Sequence, residues 1–167
     1  MCISLSIGYF CCLYPMPTNN YNKLTNMIGK HFDTSASPAG RWLHYKILAT
    51  EPGLVEASIF IRDEMTNPSN QLHGGMFALI ADELCGLAYY SLGLDTFYTT
   101  LNLHLNYLYS ANAGSTLFIK AQVIRSGKKI GHVSCEMYDE ENKLLATAST
   151  NLVNTNKEIF QLTPTDS

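Results

Sequence analysis

Asn67-Pro68-Ser69-Asn70-Gln71-Leu72-His73-Gly74-Gly75 is a polar, turn-rich stretch. It runs directly into Met76-Phe77-Ala78-Leu79-Ile80-Ala81-Asp82-Glu83-Leu84-Cys85-Gly86-Leu87-Ala88-Tyr89-Tyr90-Ser91. Apolar residues occupy nearly every face of the second segment, so the pattern predicts a helix buried all round rather than one lying on a surface. At about 1.5 Å per residue that helix is roughly 24 Å long. This is too short to span a bilayer, and Asp82 and Glu83 interrupt its middle. It reads as a core helix, closed by Gly93-Leu94-Asp95.

The flanking sequence has a different period. Trp42 to Ala49 and Leu54 to Ile61 are strand candidates divided by the turn Glu51-Pro52-Gly53, with Val55, Ala57, Ile59 and Ile61 on one face of the second. Phe97 to Leu108 alternates, placing Leu101, Leu103, Leu105 and Tyr107 on a core face and Thr100, Asn102, His104 and Asn106 on a polar one. Ser115 to Ile124 and Ile130 to Tyr138 follow, joined by the hairpin turn Arg125-Ser126-Gly127-Lys128-Lys129. Lys143 to Val153 is the last strand. Strands with short links around one helix predict an α+β fold, an antiparallel sheet curled round the helix.

The bounds agree with one domain. The chain has 167 residues, 46% hydrophobic and 15% charged, with a net charge of −3, enough for a sizeable core. A slightly acidic balance with no basic cluster beyond Arg125 to Lys129 argues against nucleic acid as a partner. Cys2, Cys11, Cys12, Cys85 and Cys135 show no metal-ligand spacing, so no metal, no disulfide framework and a reducing, cytoplasmic compartment are expected.

The first fifteen residues are apolar without Lys or Arg and lack a secretory n-region. They read as a disordered tail, or as sequence upstream of a start near Met16 or Met27; a targeting or anchoring segment is the alternative. Leu24 to Phe32 is a short helix candidate, and Asp33 to Gly40 reads as loop. The expected division is therefore 1–40 as tail and short helix, 41–155 as the folded domain, and 156–167 as a C-terminal tail. No membrane partner is expected.

Candidate chemistry concentrates at the start and middle of the central helix. A helix N-terminus offers unpaired N–H donors and the positive end of a dipole, suited to a developing oxyanion. Glycine there lets a substrate approach the backbone closely. A carboxylate inside an apolar helix is costly without partners or a task, and such a group tends toward a raised pKa that suits a general base. Asp82 is that carboxylate. Glu83 points about 100° away on the helix, toward a partner or solvent. His73 either shapes the turn or belongs to the site, and His104 reads as a surface or interface residue.

Asn67, His73-Gly74-Gly75, Asp82 seven residues past the second glycine, and the alternating strand ending Asn106-Tyr107-Leu108 together resemble the hotdog-fold acyl-CoA thioesterases of the phenylacetate-pathway type. The resemblance covers roughly Arg41 to Thr155. It implies the hotdog fold and an enzyme that hydrolyses an acyl- or aryl-CoA to free acid and CoA without metal or organic cofactor. By position it implies Gly74 as the amide that polarises the carbonyl, Asp82 as base or nucleophile, Asn67 as the loop asparagine and Thr100 as the strand hydroxyl. Gly75, Lys128 and Lys129 fall where substrate would be held, the lysines near CoA phosphates. It further implies a homodimer, or a dimer of dimers, joined through the Tyr98 to Tyr107 strand. The aromatic set Tyr89, Tyr90, Phe97, Tyr98, Tyr107 and Tyr109 is core or interface, with some members available to line an acyl or aryl pocket. Two alternatives remain open. One is a hydratase or dehydratase pairing His73 with Asp82, and the other is a non-catalytic acyl-CoA-binding module.

Overall fold

The computed structural model describes residues 19–33, 35 and 37–158. Two short helices, α1 (Asn19–Thr25) and α2 (Pro38–Leu43), precede strands β1 (Lys46–Glu51) and β2 (Leu54–Phe60). The long helix α3 (Gly74–Tyr90) comes next, then β3 (Thr96–Tyr107), β4 (Thr116–Arg125), β5 (Ile130–Tyr138) and β6 (Leu144–Glu158). The readings of Cys2, Cys11, Cys12, Met16 and the last residues of the C-terminal tail fall outside the described residues.

All six strands form one antiparallel sheet in the order β1-β2-β4-β5-β6-β3, curved round α3. Its inner face carries Val55, Ala57, Ile59, Leu117, Ile119, Ala121, Val133, Cys135 and Met137, all at most 2% exposed, against Phe77, Ile80, Ala81, Leu84, Cys85 and Ala88 of α3. Cys85 and Cys135 are free, buried thiols in this core. Leu24 and Phe32, from the segment before the sheet, are buried in the same cluster.

The short helix expected over Leu24 to Phe32 lies earlier, as α1, and the chain turns over 26–29 once that helix ends at Thr25. Three further expectations change. First, Trp42 and Leu43 end a helix instead of opening a strand. Ser37 accepts a hydrogen bond from the Gly40 N–H and Pro38 occupies the first turn, so Ser-Pro starts α2 where the composition read as loop. The Arg62 guanidinium donates to the Trp42 and Leu43 carbonyls, His44 turns left-handed, and β1 begins only at Lys46.

Second, α3 is not covered all round. Gly75 and Gly86 are exposed and Leu79, Asp82, Glu83 and Tyr90 only partly buried, so residues three or four apart leave one stripe of the helix outside its own sheet.

Third, the period of β3 is reset within the strand. Its register against β6 shifts between Thr100 and Asn102. Opposite residues share a face. Thr100, Leu103, Leu105 and Tyr107 lie opposite Leu152, Thr150, Ala148 and Ala146, all buried inner-face positions, and so share the inner face. Leu101, at the bulge, is 60% exposed. The Thr150 hydroxyl donates to the Asn102 carbonyl, and Asn102 Oδ1 accepts from the Asn151 N–H, holding the irregularity in place.

Candidate active site

Helix α3 begins at Gly74 with His73 as its N-cap. His73 Nδ1 accepts a hydrogen bond from the Gly75 N–H at 2.9 Å. The Met76 and Phe77 amides donate to the His73 carbonyl. Of the first-turn amides only Gly74 N–H has no hydrogen-bond partner among the described residues, which leaves the first donor of the helix available to a ligand.

Asp82 lies two turns further along the helix, partly buried. Thr100 Oγ1 donates to Asp82 Oδ1 at 2.6 Å, a short charge-assisted bond that ties β3 to the middle of α3. The bulge after Thr100 makes this contact possible while Leu103 and Leu105 still face the core.

Asn67 is partly buried and folds its own loop. Its Oδ1 accepts from the Ser69 and Gln71 amides at 2.9 and 3.3 Å, and the loop returns to α3 through the His73 N–H bond to the Met65 carbonyl.

A surface cleft of about 460 Å³ opens at the start of α3. Leu72, Gly74, Gly75 and Phe77 form one side and Tyr107, Leu108, Tyr109 and Ser110 the other. Tyr107 donates its hydroxyl to the Gly74 carbonyl at 2.9 Å and meets Phe77 edge to face at 5.8 Å between centroids. The sequence raised Tyr107 and Tyr109 as possible pocket aromatics. Leu72, Phe77, Leu108 and Ser110 had no signal beyond their apolarity or place in the chain.

Within one chain these groups do not all converge. Gly74 and Asp82 are eight residues apart on one helix, about 12 Å along its axis, and His73 is one residue further from Asp82. A direct His73–Asp82 pair within a chain is therefore not formed. Lys128 and Lys129 are exposed at the opposite end of α3. Their turn is pinned there by Tyr89, whose hydroxyl bonds Ser126, and by Tyr98, whose hydroxyl donates to the Gly127 and Lys128 carbonyls.

Of the two directions its position on the helix left open, a partner or solvent, Glu83 takes the first. It turns into a polar contact with the segment before β1, where the Ser35 hydroxyl donates to its Oε1 at 3.2 Å. Burial raises the Glu83 pKa above the usual carboxylate value. The Asp82 charge adds to that rise, and hydroxyls of Ser37, Ser35 and Tyr45 oppose it. The Tyr45 phenol is buried against the same carboxyl, and burial first, then the Glu83 charge, pushes its pKa well up. Its hydroxyl nonetheless makes no hydrogen bond of ordinary geometry among the described residues.

Among the described residues no group of three or more His, Cys, Asp or Glu side chains is arranged to hold a metal ion. No helix among them is long and apolar enough to cross a membrane.

The family comparison matches residues 70–146 to the Thioesterase superfamily, spanning the helix, β3, β4 and β5. Human acyl-coenzyme A thioesterase 13 is 25% identical over 101 residues, covering 60% of this chain and 72% of that protein. The fold is shared with the PaaI protein of the Escherichia coli phenylacetic acid degradation operon (TM-score 0.71, 20% identity, 84% of this chain and 94% of that one). It is shared too with a Streptococcus mutans protein solved bound to acetyl-CoA (TM-score 0.65, 24% identity, 69% of this chain and 91% of that one). A curved six-stranded sheet on one long helix, the hotdog fold, is the architecture these structures share with this chain; residues 70–146 within it are similar to the Thioesterase superfamily, and the chain is similar to a human relative named as a thioester hydrolase.

Proposed function

We propose that the protein hydrolyses an acyl- or aryl-CoA thioester to the free acid and CoA. The observation that carries the reading is the Thr100–Asp82 hydrogen bond, which orients one of the two carboxylates of a largely apolar helix. The similarity of residues 70–146 to the Thioesterase superfamily supports it. So do a human relative named as an acyl-CoA thioesterase and a structural neighbour solved with acetyl-CoA.

In this reading the thioester oxygen sits against the Gly74 N–H, which stabilises negative charge as the carbonyl is attacked. Asp82, oriented by Thr100, takes a proton from water as the water oxygen adds to the carbonyl carbon. The carbon–sulfur bond then breaks and CoA leaves as the thiol with a proton returned. In the variant, Asp82 itself adds to the carbonyl carbon, CoA leaves as the thiolate and is protonated, and water then hydrolyses the acyl-aspartyl anhydride to the free acid and regenerates Asp82. Asn67 and His73 shape the loop and turn that present Gly74 and Gly75. The apolar and aromatic lining of the cleft suits an uncharged acyl or aryl group, and Lys128 and Lys129 suit CoA phosphates. No metal or organic cofactor is needed for these steps.

The site is shared between two copies of the chain. A single thioester carbon cannot reach both Gly74 and Asp82 across about 12 Å of one helix. Two antiparallel helices meeting along the stripe Gly75, Leu79, Asp82, Gly86 bring the start of one beside the middle of the other. The free edge of β3, twelve residues long, suits pairing with its symmetry mate, and a dimer of dimers extends the same principle. The two free buried thiols fit a reducing, cytoplasmic setting.

The test is thiol release from a panel of acyl- and aryl-CoAs with a thiol reagent. Binding of acyl-CoA without release above the buffer rate would replace hydrolysis with a binding role. Consumption of an enoyl-CoA without thiol release would favour hydration.

A further inference from the structure

The start of α3 is a Gly-Gly pair, the most mobile dipeptide available, at the point where one free N–H has to be aimed. Two side chains remove that mobility. The peptide joining Gly74 to Gly75 is planar, so its C=O and N–H point in opposite directions. Its carbonyl accepts from the Tyr107 hydroxyl at 2.9 Å, and its N–H donates to His73 Nδ1 at 2.9 Å. The same two side chains stand tight against the space that Cβ atoms would fill. A Cβ on Gly74 would stand 3.2 Å from the Tyr107 hydroxyl oxygen, and one on Gly75 would stand 3.1 Å from His73 Nδ1. Tyr107 is itself braced by its edge-to-face contact with Phe77, one turn along the helix.

We propose that Tyr107 is a positioning residue. Its hydroxyl, working against the His73 ring, clamps the Gly74–Gly75 peptide and so restricts rotation at Gly74, the residue whose own unpaired N–H lies on the preceding peptide. Its ring forms the wall of the cleft nearest that amide. With the Gly75 N–H already engaged, the clamp also selects Gly74 over Gly75 as the free donor. Tyr107 is more than half exposed and reaches Gly74 from the far end of β3, so its contribution to the hydrophobic core is small and its role lies at the helix start.

This inference rests on the thioesterase reading for its kinetic consequence but not for its structural one. The test is Tyr107→Phe, which keeps the ring and removes one hydroxyl. Two readouts are taken on the full chain. In thiol-release assays kcat falls about five- to tenfold with KM within about twofold and the melting temperature nearly unchanged, the scale of one neutral hydrogen bond used in the transition state. In amide hydrogen exchange followed by NMR, Gly75 exchanges about tenfold faster than in the wild type, while Leu84 in mid-helix is unaltered. The exchange result does not depend on activity. If the wild type releases no thiol from any acyl-CoA, the functional reading fails and Gly75 exchange alone decides the clamp. Unchanged Gly75 exchange in Tyr107→Phe overturns the clamp, and so does an unchanged kcat when the wild type is active.

Discussion

Thr100 and Asp82 stand on different elements, an edge strand and the central helix, and are joined by a hydrogen bond of 2.6 Å. The threonine hydroxyl donates, so one carboxylate oxygen is held in place while the other remains available for a proton. Asp82→Asn therefore folds normally and loses at least about 100-fold in turnover, the usual scale for deleting an acid or base. Thr100→Val retains the carboxylate but not its orientation and loses about tenfold. If Glu83→Gln cripples the enzyme and Asp82→Asn leaves it nearly unaltered, the base has been assigned to the wrong residue.

Glu83 makes a separate prediction about stability. Its pKa is raised in the folded state, chiefly by burial. The folded protein therefore binds this proton more tightly than the unfolded chain. The stability that follows is complete below the unfolded value near 4.5 and is lost as pH rises through the folded value. Glu83→Gln, which stays neutral and can still accept from Ser35, melts at a higher temperature than the wild type at pH 7. The gap closes as pH falls below about 4.5. A gap that widened on acidification would contradict a buried carboxyl held against its charge.

Gly40 tests the other side of that contact. Alanine ordinarily favours a helix by about 1 kcal/mol over glycine. Here a Cβ at position 40 would collide with Glu83 Oε1 and stand 2.8 Å from Ser35 Oγ. Gly40→Ala should destabilise by about 1–3 kcal/mol, the cost of overpacking, as measured by denaturant unfolding. A stabilised variant would show that the carboxyl moves aside freely.

The bulge in β3 can be loosened without touching the site. Asn102→Ala removes the side chain that accepts from the Asn151 N–H and Nδ2. We expect about 1 kcal/mol of lost stability and a several-fold lower kcat, because Thr100 is no longer held toward Asp82. In the double variant Asn102→Ala/Thr100→Val the loss in kcat should be little more than in Thr100→Val alone. Fully multiplied losses would mean that Asn102 acts by another route.

A site shared between two chains, as proposed, predicts complementation. Asp82→Asn and Gly74→Pro are each inactive, and each must first be shown to be folded and dimeric. After random exchange about half the dimers are mixed. Each mixed dimer contains one wild-type site and one doubly damaged site, so about a quarter of all sites recover activity. A site built within one chain predicts no recovery. Light scattering that gave a one-chain mass at micromolar concentration would also exclude sharing.

Much of this molecule is written locally. The helix from Gly74 and most strand spans follow from apolar spacing of about 3.6 or 2 residues, and Ile130–Tyr138 is a strand over the span its alternation predicts. The Ser37-Pro38 start of α2 was also present as a local signal and was outweighed by the turn-forming composition around it. The spacing from His73-Gly74-Gly75 to Asp82 follows from position along one helix. These features depend on neighbours within a few residues, so a linear reading reaches them.

The orientation of Thr100, the burial of Glu83 and the hold of Tyr107 on Gly74 are of another kind. They join residues 18, 48 and 33 positions apart. Strict alternation sets Thr100 and Leu103 on opposite faces. The bulge that reconciles them is held by contacts with β6, roughly fifty residues away, and nothing in β3 alone announces it. Glu83 lies about 100° round the helix from Asp82 in any reading. Whether that direction meets water or the Ser35–Tyr45 segment depends on where a chain folded from far upstream comes to rest. Periodicity sets which side a residue faces within its own element, and only strand register and packing set what stands on that side.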